Sequence, residues 1–231
     1  MKWAINGDHL KKINPNWTFD KWSYRHTFID KMRYIEKFLL NQNKKLKILD
    51  VGCGQGLLVK HFHELGYDIK GIDKEYSSNL VMKQDIFKNK IKKNSYDLIL
   101  CLDVIEHFNL SEQEKLVKVL NGLLKENGRI VFSVPNMAHL SSRIVFLFTG
   151  KLIRTAKVEY HPGDRPASEY KALFKKYFKI ERIKGISPTI PFLFQLTQKW
   201  PHLTGWLYFL IKWVAIPGWC FNVIFMCKKA F

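Results

Sequence analysis

The stretch that most clearly indicates the fold of this chain is residues 48–56, ILDVGCGQG. An apolar run that contains one acid, Asp50, leads directly into three glycines within five positions. Bare backbone at the end of a strand lets a ligand lie close to the main chain, as nucleotides, dinucleotides and adenosyl cofactors all require. The glycines alone do not choose among these ligands.

The spacing of the glycines narrows the choice. A dinucleotide fingerprint has the form G-x-G-x-x-G, whereas here Gly52, Gly54 and Gly56 follow G-x-G-x-G and Leu57 comes next. A phosphate-binding Walker loop requires Gly-Lys-Ser/Thr, which is absent. The loop therefore differs from both phosphate-binding patterns.

Strand and helix patterns alternate around this loop. Buried-strand patterns are KLKILDVG, DIKGID, YDLILCLDVI and GRIVFSVP, and helical patterns separate them. Strands rich in Val, Ile and Leu that alternate with helices indicate a mostly parallel sheet covered on both faces. We therefore predict an α/β fold with an open, doubly wound sheet.

The helix between the last two of these strands has predicted ends. Ser111 and Glu114 fit a capping box at its start, and Gly128 fits its end. Earlier in the chain, helical spacing over 25–40 predicts another amphipathic helix.

Composition indicates a folded, strongly basic protein. The 231 residues are 47% hydrophobic and 25% charged, and the formal net charge is +18. This excludes a disordered chain and favours polyanionic partners such as nucleic acid, anionic lipid or acidic substrates. The four cysteines form no C-x-x-C pair, and residues 1–17 lack the apolar core of a signal peptide, so we expect a cytoplasmic protein.

Two acids follow the loop at informative positions. Asp73 ends the second strand, 17 residues after Gly56, where a carboxylate can accept both hydroxyls of a ribose. Asp85, in KQDIF, stands where the third strand of such a sheet ends and can meet an adenine amino group. Loop and acids together are more specific than the loop alone.

These segments resemble the class I S-adenosylmethionine-dependent methyltransferases, and most of all the branch that contains the ubiquinone O-methyltransferases. The matching segments are ILDVGCGQG, GIDKE, QDIF, YDLILCLDVIEHF and GRIVFSVPN, over roughly 46–136. The resemblance implies a Rossmann-like sheet, mostly parallel with an antiparallel last strand, and S-adenosylmethionine as cofactor. It is specific for the cofactor and much less so for the methyl acceptor.

The resemblance also implies roles for individual residues. Gly52 and Gly54 let the cofactor approach the backbone, and Asp50 positions the loop or the methionine ammonium. Asp73 holds the ribose and Asp85 the adenine.

Two further cofactor contacts follow from the same resemblance. Leu102, at the end of the fourth strand, matches a position whose backbone contacts the methionine part of the cofactor. Arg33, 19 residues before Gly52, matches an N-terminal arginine that meets the cofactor carboxylate in the quinone enzymes.

His107, in DVIEHF, is the candidate catalytic residue. It follows the fourth strand at the edge where ligands bind in open α/β sheets, and an imidazole suits proton removal from a hydroxyl acceptor at neutral pH. In the ubiquinone-type enzymes this segment resembles E-x-x-E-H, which holds a divalent metal in some members. Here Asp103, Glu106 and His107 take those positions with a shortened first acid. Base or acceptor contact, a metal site and a structural role for His107 all remain open.

An aromatic, apolar stretch over 187–218 precedes the last predicted strand, FNVIFMCKK. Its length and hydropathy approach those of a membrane span, but Pro217 and Gly218 interrupt it and favour a helical hairpin or broken helix. Trp200, Trp206 and Trp213 recur along one stretch and suit a membrane interface; a lid over an apolar acceptor and a dimer interface are the alternatives.

By this interpretation the chain has four parts. Residues 1–45 form an N-terminal helical segment that closes the cofactor site, 46–186 the methyltransferase core, 187–218 the hydrophobic insertion and 219–231 the last core strand. We expect an O-methyltransferase of a small or lipid-like acceptor, cytoplasmic and peripheral on the inner face of the membrane. An RNA methyltransferase is a rival because of the charge, although an N-P-P-Y-like tetrapeptide is missing; a non-catalytic scaffold in a membrane complex is another.

Overall fold

The computed structural model describes residues 15–88, 91–154 and 156–230. The predictions made on residues 1–14, namely the missing signal-peptide core and the start of the N-terminal segment, lie outside the described residues. The chain forms two compact units. The helical unit comprises residues up to Gln42, Ala138–Ile153 and Lys184–Asn222, and the sheet unit comprises Asn43–Met137, Arg154–Ile183 and the residues from Val223 on.

Within the described ranges, seven strands form one sheet in the order β3-β2-β1-β4-β5-β7-β6. Strands β1 to β5 pair in parallel, and β7 is antiparallel. The predicted class, a doubly wound and mostly parallel sheet with an antiparallel last strand, is confirmed. The strands are β1 Ile48–Val51, β2 Ile69–Asp73, β3 Val81–Lys83, β4 Tyr96–Leu102, β5 Leu124–Pro135, β6 Phe178–Pro188 and β7 Cys220–Lys229.

Seven α-helices are described, and short 3-10 turns accompany them. The helices are α1 Arg25–Leu40, α2 Leu57–Glu64, α3 Leu110–Leu123, α4 Leu140–Thr149, α5 Ala167–Lys175, α6 Leu193–Lys199 and α7 Gly205–Ile211. The 3-10 turn that bears on the site is Ile105–His107, directly after β4.

The core of the sheet unit lies between the central strands and helices α3 and α5. Leu116 and Leu120 of α3, and Tyr170 and Phe174 of α5, are fully buried in one apolar cluster with strand residues such as Phe132. The rings of Phe132 and Phe174 stack with centroids 4.1 Å apart. This core fixes the carboxyl ends of the strands, where the candidate site lies.

The predicted ends of helix α3 are wrong. Asn109 caps the helix: its side chain accepts from the Glu112 backbone at 3.0 Å, and the Glu112 carboxylate accepts from the Asn109 backbone at 3.1 Å. Ser111 only donates to the Asn109 side chain, and Glu114 accepts from the Tyr177 hydroxyl. Asn109 and Ser111 both have an acid three residues on, but the extended backbone of Asn109 follows directly on the Ile105–His107 turn, so the helix starts there.

The other end of α3 also differs from the prediction. The helix stops at Leu123 rather than near Gly128, because Leu124 already pairs with Tyr96 of β4. The strand β4 is likewise shorter than its apolar pattern, since it ends at Leu102 and Asp103 adopts φ 53°. This sharp change of direction starts the turn that carries His107.

The helical unit contains the aromatic insertion as two short helices, α6 and α7, followed by 3-10 turns at Lys212–Val214 and Pro217–Trp219. The helices are short because Pro201 and Pro217 interrupt the apolar run. Among the described residues, no helix is both long and apolar enough to cross a membrane.

Candidate active site

The candidate site lies at the carboxyl edge of β1, β2 and β4. The strand order reverses at β1, because the chain first moves outward through β2 and β3 and then returns to place β4 on the other side of β1. In open α/β sheets, ligands bind in the crevice at such a reversal. The segments that follow β1 and β4 are the glycine loop and the His107 turn.

The glycine loop has a backbone that demands glycine at its first position. Gly52 has φ +69°, and its amide donates to the Ile72 carbonyl at 2.8 Å. A Cβ at Gly52 would collide with the side chain of Val104, which comes from the turn after β4. Gly54 has φ +55°, yet a Cβ there would meet no atom within 4 Å. The space above Gly54 is therefore open on the side where a ligand can approach.

Asp73 fixes the loop as well as ending β2. One carboxylate oxygen accepts from the Gly54 amide at 2.8 Å, and the other accepts from the amides of Glu75 and Tyr76 at 2.8 and 3.2 Å. A carboxylate has about four acceptor positions, of which these three amides use three, so one position remains on the oxygen that faces Gly54 for a ribose hydroxyl. The sequence predicted the ribose contact but not the bond to the loop.

The other predicted cofactor residues lie at different depths in the molecule. Asp50 is buried within β1, Leu102 ends β4, and Asp85 follows β3 and accepts from the Phe87 amide at 2.9 Å. All three belong to the sheet unit, together with the glycine loop and Asp73. Arg33 belongs to the helical unit, on the exposed face of α1.

One ring nitrogen of His107 makes a hydrogen bond within the protein. Its Nδ1 lies 2.8 Å from the Tyr160 carbonyl oxygen, which can only accept, so Nδ1 carries the hydrogen and Nε2 the lone pair. Partial burial is the main cause that lowers the pKa of His107, and His161 adds to the decrease. The hydrogen bond to Tyr160 opposes it. The ring is consequently neutral at neutral pH, although the residue keeps part of its surface exposed.

A loop that is distant in sequence closes over this turn. Gln113 of α3 donates to the carbonyls of Ile105 and Gly163 at 3.0 and 2.8 Å, and the Gly163 amide donates to the Glu106 carbonyl at 3.2 Å. A Cβ at Gly163 would collide with the Gln113 side chain and the Phe108 carbonyl. Gly163 and Gln113 therefore hold the loop at the site, a function that no sequence pattern indicated.

The same loop brings His161 next to His107. The rings of His107 and His161 meet edge to face with centroids 4.8 Å apart. The carboxylate of Asp164 lies 3.5 Å from Nδ1 of His161. No motif in the sequence marks His161; its only signal is its place at the start of a polar loop, HPGDRP, at 161–166.

The metal set suggested by the sequence is not the set that the structure assembles. Asp103 accepts a hydrogen bond from the Ser133 hydroxyl at 2.6 Å and stands apart from the cluster. Among the described residues, the donors that converge are those of Glu106, His107 and His161, whose ligand atoms all lie within 4.8 Å of one another. Asp103 has a left-handed backbone, and its carboxylate is bonded to Ser133 of β5.

Sheet order, glycine loop and the acid at the end of β2 define a class I S-adenosylmethionine-dependent methyltransferase. The chain belongs to the methyltransferase-domain family, whose model matches residues 22–177. It is an enzyme, and its cofactor is S-adenosylmethionine.

Curated relatives point to one branch of the family. The chain is 29% identical over 212 residues to a ubiquinone biosynthesis O-methyltransferase of Rickettsia typhi, covering 79% of this chain and 84% of that protein. It is 30% identical over 151 residues to the protein of the same name from Pelagibacter ubique, covering 58% and 59%.

Solved structures share the fold. The chain superposes with a TM-score of 0.58 on magnesium protoporphyrin IX methyltransferase of Synechocystis with bound S-adenosylhomocysteine, at 17% identity and over 90% of this chain and 86% of the other. It superposes equally, with a TM-score of 0.58, on a protein of Pyrococcus horikoshii at 16% identity, over 96% and 99%.

Proposed function

We propose that this methyltransferase transfers the methyl group to a hydroxyl oxygen of a small or lipid-like acceptor at a membrane surface. The observation that carries the oxygen assignment is the position of His107 on the turn after β4, beside the strand-order reversal, with Nδ1 bound to the Tyr160 carbonyl and the lone pair left on Nε2. The names of the curated relatives, ubiquinone biosynthesis O-methyltransferases, support the same class of acceptor.

The geometry of the edge supports the cofactor roles that we propose. The adenosyl and methionine parts lie against Gly52 and Gly54, where the open side of Gly54 leaves room. Asp73 accepts a ribose hydroxyl, and Asp85 meets the adenine amino group.

Three more residues complete the proposed cofactor contacts. Asp50 supports the loop from within β1, and the Leu102 backbone contacts the methionine part. The contact of Arg33 with the cofactor carboxylate stays a prediction, as does the division of the chain at residues 45, 186 and 218.

The proposed chemistry needs little from the protein beyond alignment and one base. The sulfonium of the cofactor already activates the methyl carbon, so the protein has to place the acceptor oxygen in line with it. The Nε2 atom of His107 takes the hydroxyl proton as the oxygen attacks. The bond to the Tyr160 carbonyl keeps the hydrogen on Nδ1 and the lone pair on Nε2.

Membrane contact is supported by charge as much as by aromatic residues. The segments 138–153 and 184–222 contain no Asp or Glu, whereas they contain Arg143, Lys151, Lys184, Lys199 and Lys212. Within the helical unit, these segments expose many large apolar side chains, which we call the aromatic surface: Phe146, Leu147, Phe148, Phe192, Leu196, Trp200, Leu203, Trp206, Phe209, Leu210, Trp213, Val214, Ile216 and Trp219. An apolar, exclusively basic surface suits the interface of an anionic bilayer.

Methyl transfer into fractionated host material tests the proposal. The chelator-treated protein is incubated with radiolabelled S-adenosylmethionine and separated lipid, small-molecule and RNA fractions, and the product is identified by mass spectrometry. We expect label in an O-methylated lipid or small molecule. Label in RNA would favour an RNA methyltransferase, and cofactor binding without any labelled product would favour a scaffold.

The role of His107 is tested in the same assay. His107→Gln and His107→Asn remove the base, and the Asn amide can still donate to Tyr160. We expect both to cut turnover by about 10²- to 10⁴-fold. Affinity for S-adenosylmethionine, measured by calorimetry, should stay the same. Unchanged turnover in both variants would contradict the base role.

A further inference from the structure

We propose that Gln113 is a positioning residue for methyl transfer. Through Gly163 it holds the Tyr160 carbonyl in place, and this carbonyl decides which ring nitrogen of His107 carries the hydrogen. The effect on turnover rests on the proposed function, because it assumes that His107 is the base. The effect on the imidazole hydrogen does not.

The side-chain amide of Gln113 lies at the junction of two segments of the sheet unit. Gln113 belongs to the first turn of α3 and is fully buried. Its Nε2 lies 3.0 and 3.1 Å from the carbonyl oxygens of Ile105 and Phe108, which come before and after His107 in the chain. The same atom lies 2.8 Å from the carbonyl oxygen of Gly163, on the loop. Carbonyl oxygens only accept hydrogen bonds, so it is the NH₂ group of the amide that faces them and bonds both segments.

Gly163 is held in place by more than this amide. The Tyr170 hydroxyl of α5 donates to its carbonyl oxygen at 3.1 Å, and the Gly163 amide donates to the Glu106 carbonyl at 3.2 Å. Tyr170 is fully buried, and burial raises the pKa of its hydroxyl, which therefore keeps its hydrogen. A Cβ on Gly163 would collide with the Gln113 side chain and the Phe108 carbonyl. These contacts leave this part of the loop one position.

The position of Gly163 is passed on to the Tyr160 carbonyl. Only two residues separate them, and one is Pro162, whose ring restricts the backbone. The Tyr160 amide donates to the Lys157 carbonyl at 3.0 Å, so the chain also turns tightly on the other side. The Tyr160 carbonyl oxygen lies 2.8 Å from Nδ1 of His107. A shift of Gly163 therefore moves the acceptor of the imidazole hydrogen.

The bond at Nδ1 selects one tautomer of the neutral imidazole. Because a carbonyl oxygen only accepts, it favours the form with the hydrogen on Nδ1 and the lone pair on Nε2. When the carbonyl is displaced, the form with the hydrogen on Nε2 becomes accessible, and that form has no electron pair there for a hydroxyl proton. A histidine base in the wrong tautomer loses most of its activity although the ring is still present. Gln113 thus acts on the reaction through the Tyr160 carbonyl.

The tautomer is measured first, without reference to turnover. Two-dimensional NMR of protein with ¹⁵N-labelled histidine rings distinguishes the two tautomers at neutral pH, and the signals of His107 are identified by their loss in His107→Asn. We expect the wild type to carry the hydrogen on Nδ1. Gln113→Met keeps a side chain of similar length but removes the donor, and we expect a share of the Nε2–H form.

A second variant and a matched control accompany this measurement. Gly163→Ala disturbs the same contact from the loop, since its methyl group would collide with Gln113, and it should show the same Nε2–H signal. Val117→Ala also removes buried atoms from α3, one turn further along, but leaves the amide in place. It should lower stability in urea and keep the wild-type tautomer of His107.

Turnover is then measured with radiolabelled S-adenosylmethionine and the host fraction that takes up the label. Gln113→Met and Gly163→Ala should lower kcat by about 10- to 100-fold, a loss of the size that small misplacements cause. Their KM for S-adenosylmethionine should change little, which separates this effect from damage to the cofactor site. Val117→Ala should keep the wild-type kcat.

The outcomes separate this inference from the proposed function. The wild-type tautomer in both Gln113→Met and Gly163→Ala would overturn the positioning role, whatever their turnover. If Gln113→Met fails to fold, as a loss of affinity for S-adenosylmethionine would show, Gly163→Ala alone decides. A changed tautomer with unchanged turnover would confirm the effect on the ring and overturn the base role of His107.

Discussion

The carboxyl ends of β1, β2 and β4 in the sheet unit, here called the cofactor edge because we propose that the cofactor binds there, differ in construction from the aromatic surface of the helical unit. At the edge, single atoms are fixed: the Gly54 amide donates to Asp73, and Gly52 leaves no room for a Cβ beside Val104. On the aromatic surface, large side chains such as Trp206, Trp213 and Phe148 are 67%, 75% and 85% exposed.

This difference predicts in which region a single substitution has a large effect on function. A site made from directed hydrogen bonds loses its function when one donor or acceptor is removed, because the remaining partner stays unpaired. A surface made from exposed apolar area loses its function gradually, because each side chain adds its own share. Four substitution experiments test this difference between the two regions.

The largest effect is expected at the ribose acid. Asp73→Ala removes the acceptor of the Gly54 amide and of the proposed ribose bond. We expect affinity for S-adenosylmethionine to fall by roughly 10- to 1,000-fold, since two charge-assisted hydrogen bonds contribute about 1.5–3 kcal/mol each before water compensates. Calorimetric titration measures it. Asp85→Ala, at the adenine end, should have a smaller effect, and wild-type affinity in Asp73→Ala would remove this acid from the site.

The two loop glycines separate packing from ligand approach. Gly52→Ala adds left-handed strain and a collision with Val104, while Gly54→Ala adds the strain alone. We expect Gly52→Ala to lower the free energy of unfolding by about 2 kcal/mol more than Gly54→Ala does, the usual cost of overpacking. Urea unfolding of both variants measures the difference. Gly54→Ala should lose cofactor affinity despite its milder effect on stability, and equal stability of the two variants would contradict the close approach of Val104.

The aromatic surface should respond to paired changes. Replacing both Trp206 and Trp213 by Ser should weaken binding to anionic liposomes by about 10-fold, since burial of apolar area contributes about 25 cal/mol per Å². Replacing both by Phe keeps an aromatic surface and is the control. Co-sedimentation with anionic and neutral liposomes, at low and high salt, gives the measurement. A wild-type protein that binds neither kind of liposome would leave a lid or a dimer interface as the function of this surface.

The smallest effect is a pH dependence in the helical unit. His139 caps α4 by accepting from the Ser142 amide, and burial lowers its pKa to about 4. In the unfolded chain His139 has the usual pKa of 6.5, so its lower pKa in the folded state means that folding favours the neutral imidazole. This contribution to the free energy of unfolding is present above pH 6.5 and is lost as the pH falls from there towards 4. Between pH 7 and 5.5 the loss is about 1 kcal/mol.

His139→Asn tests that assignment, because Asn is also a good helix cap but does not titrate. Chemical unfolding of both proteins at pH 7 and pH 5.5 gives the slope of stability with pH. We expect the wild type to lose more stability than the variant over this range. Parallel slopes would show that His139 does not govern the acid sensitivity.

Local signals predicted much of the cofactor edge. The strand before the loop, the three glycines and the acid at the end of the next strand are close in sequence, and each has one structural explanation. Sequence patterns that fit two different local structures gave less reliable predictions. Asn109 and Ser111 both precede an acid by three residues, and only the pairing of Leu124 with β4 shows how far helix α3 can run.

From the sequence alone the class of fold and the cofactor could be predicted, and acids and glycines could be proposed as cofactor contacts, because these features depend on backbone geometry that neighbouring residues impose. The groups that surround His107 depend on the tertiary structure and could not be predicted from the sequence. Gln113 and Gly163 bring His161 to its ring from 54 residues away, and Ser133 draws Asp103 aside. Such contacts depend on how α3 and the loop pack over the sheet, and side-chain pairs so far apart in the chain leave no periodic pattern from which they can be predicted.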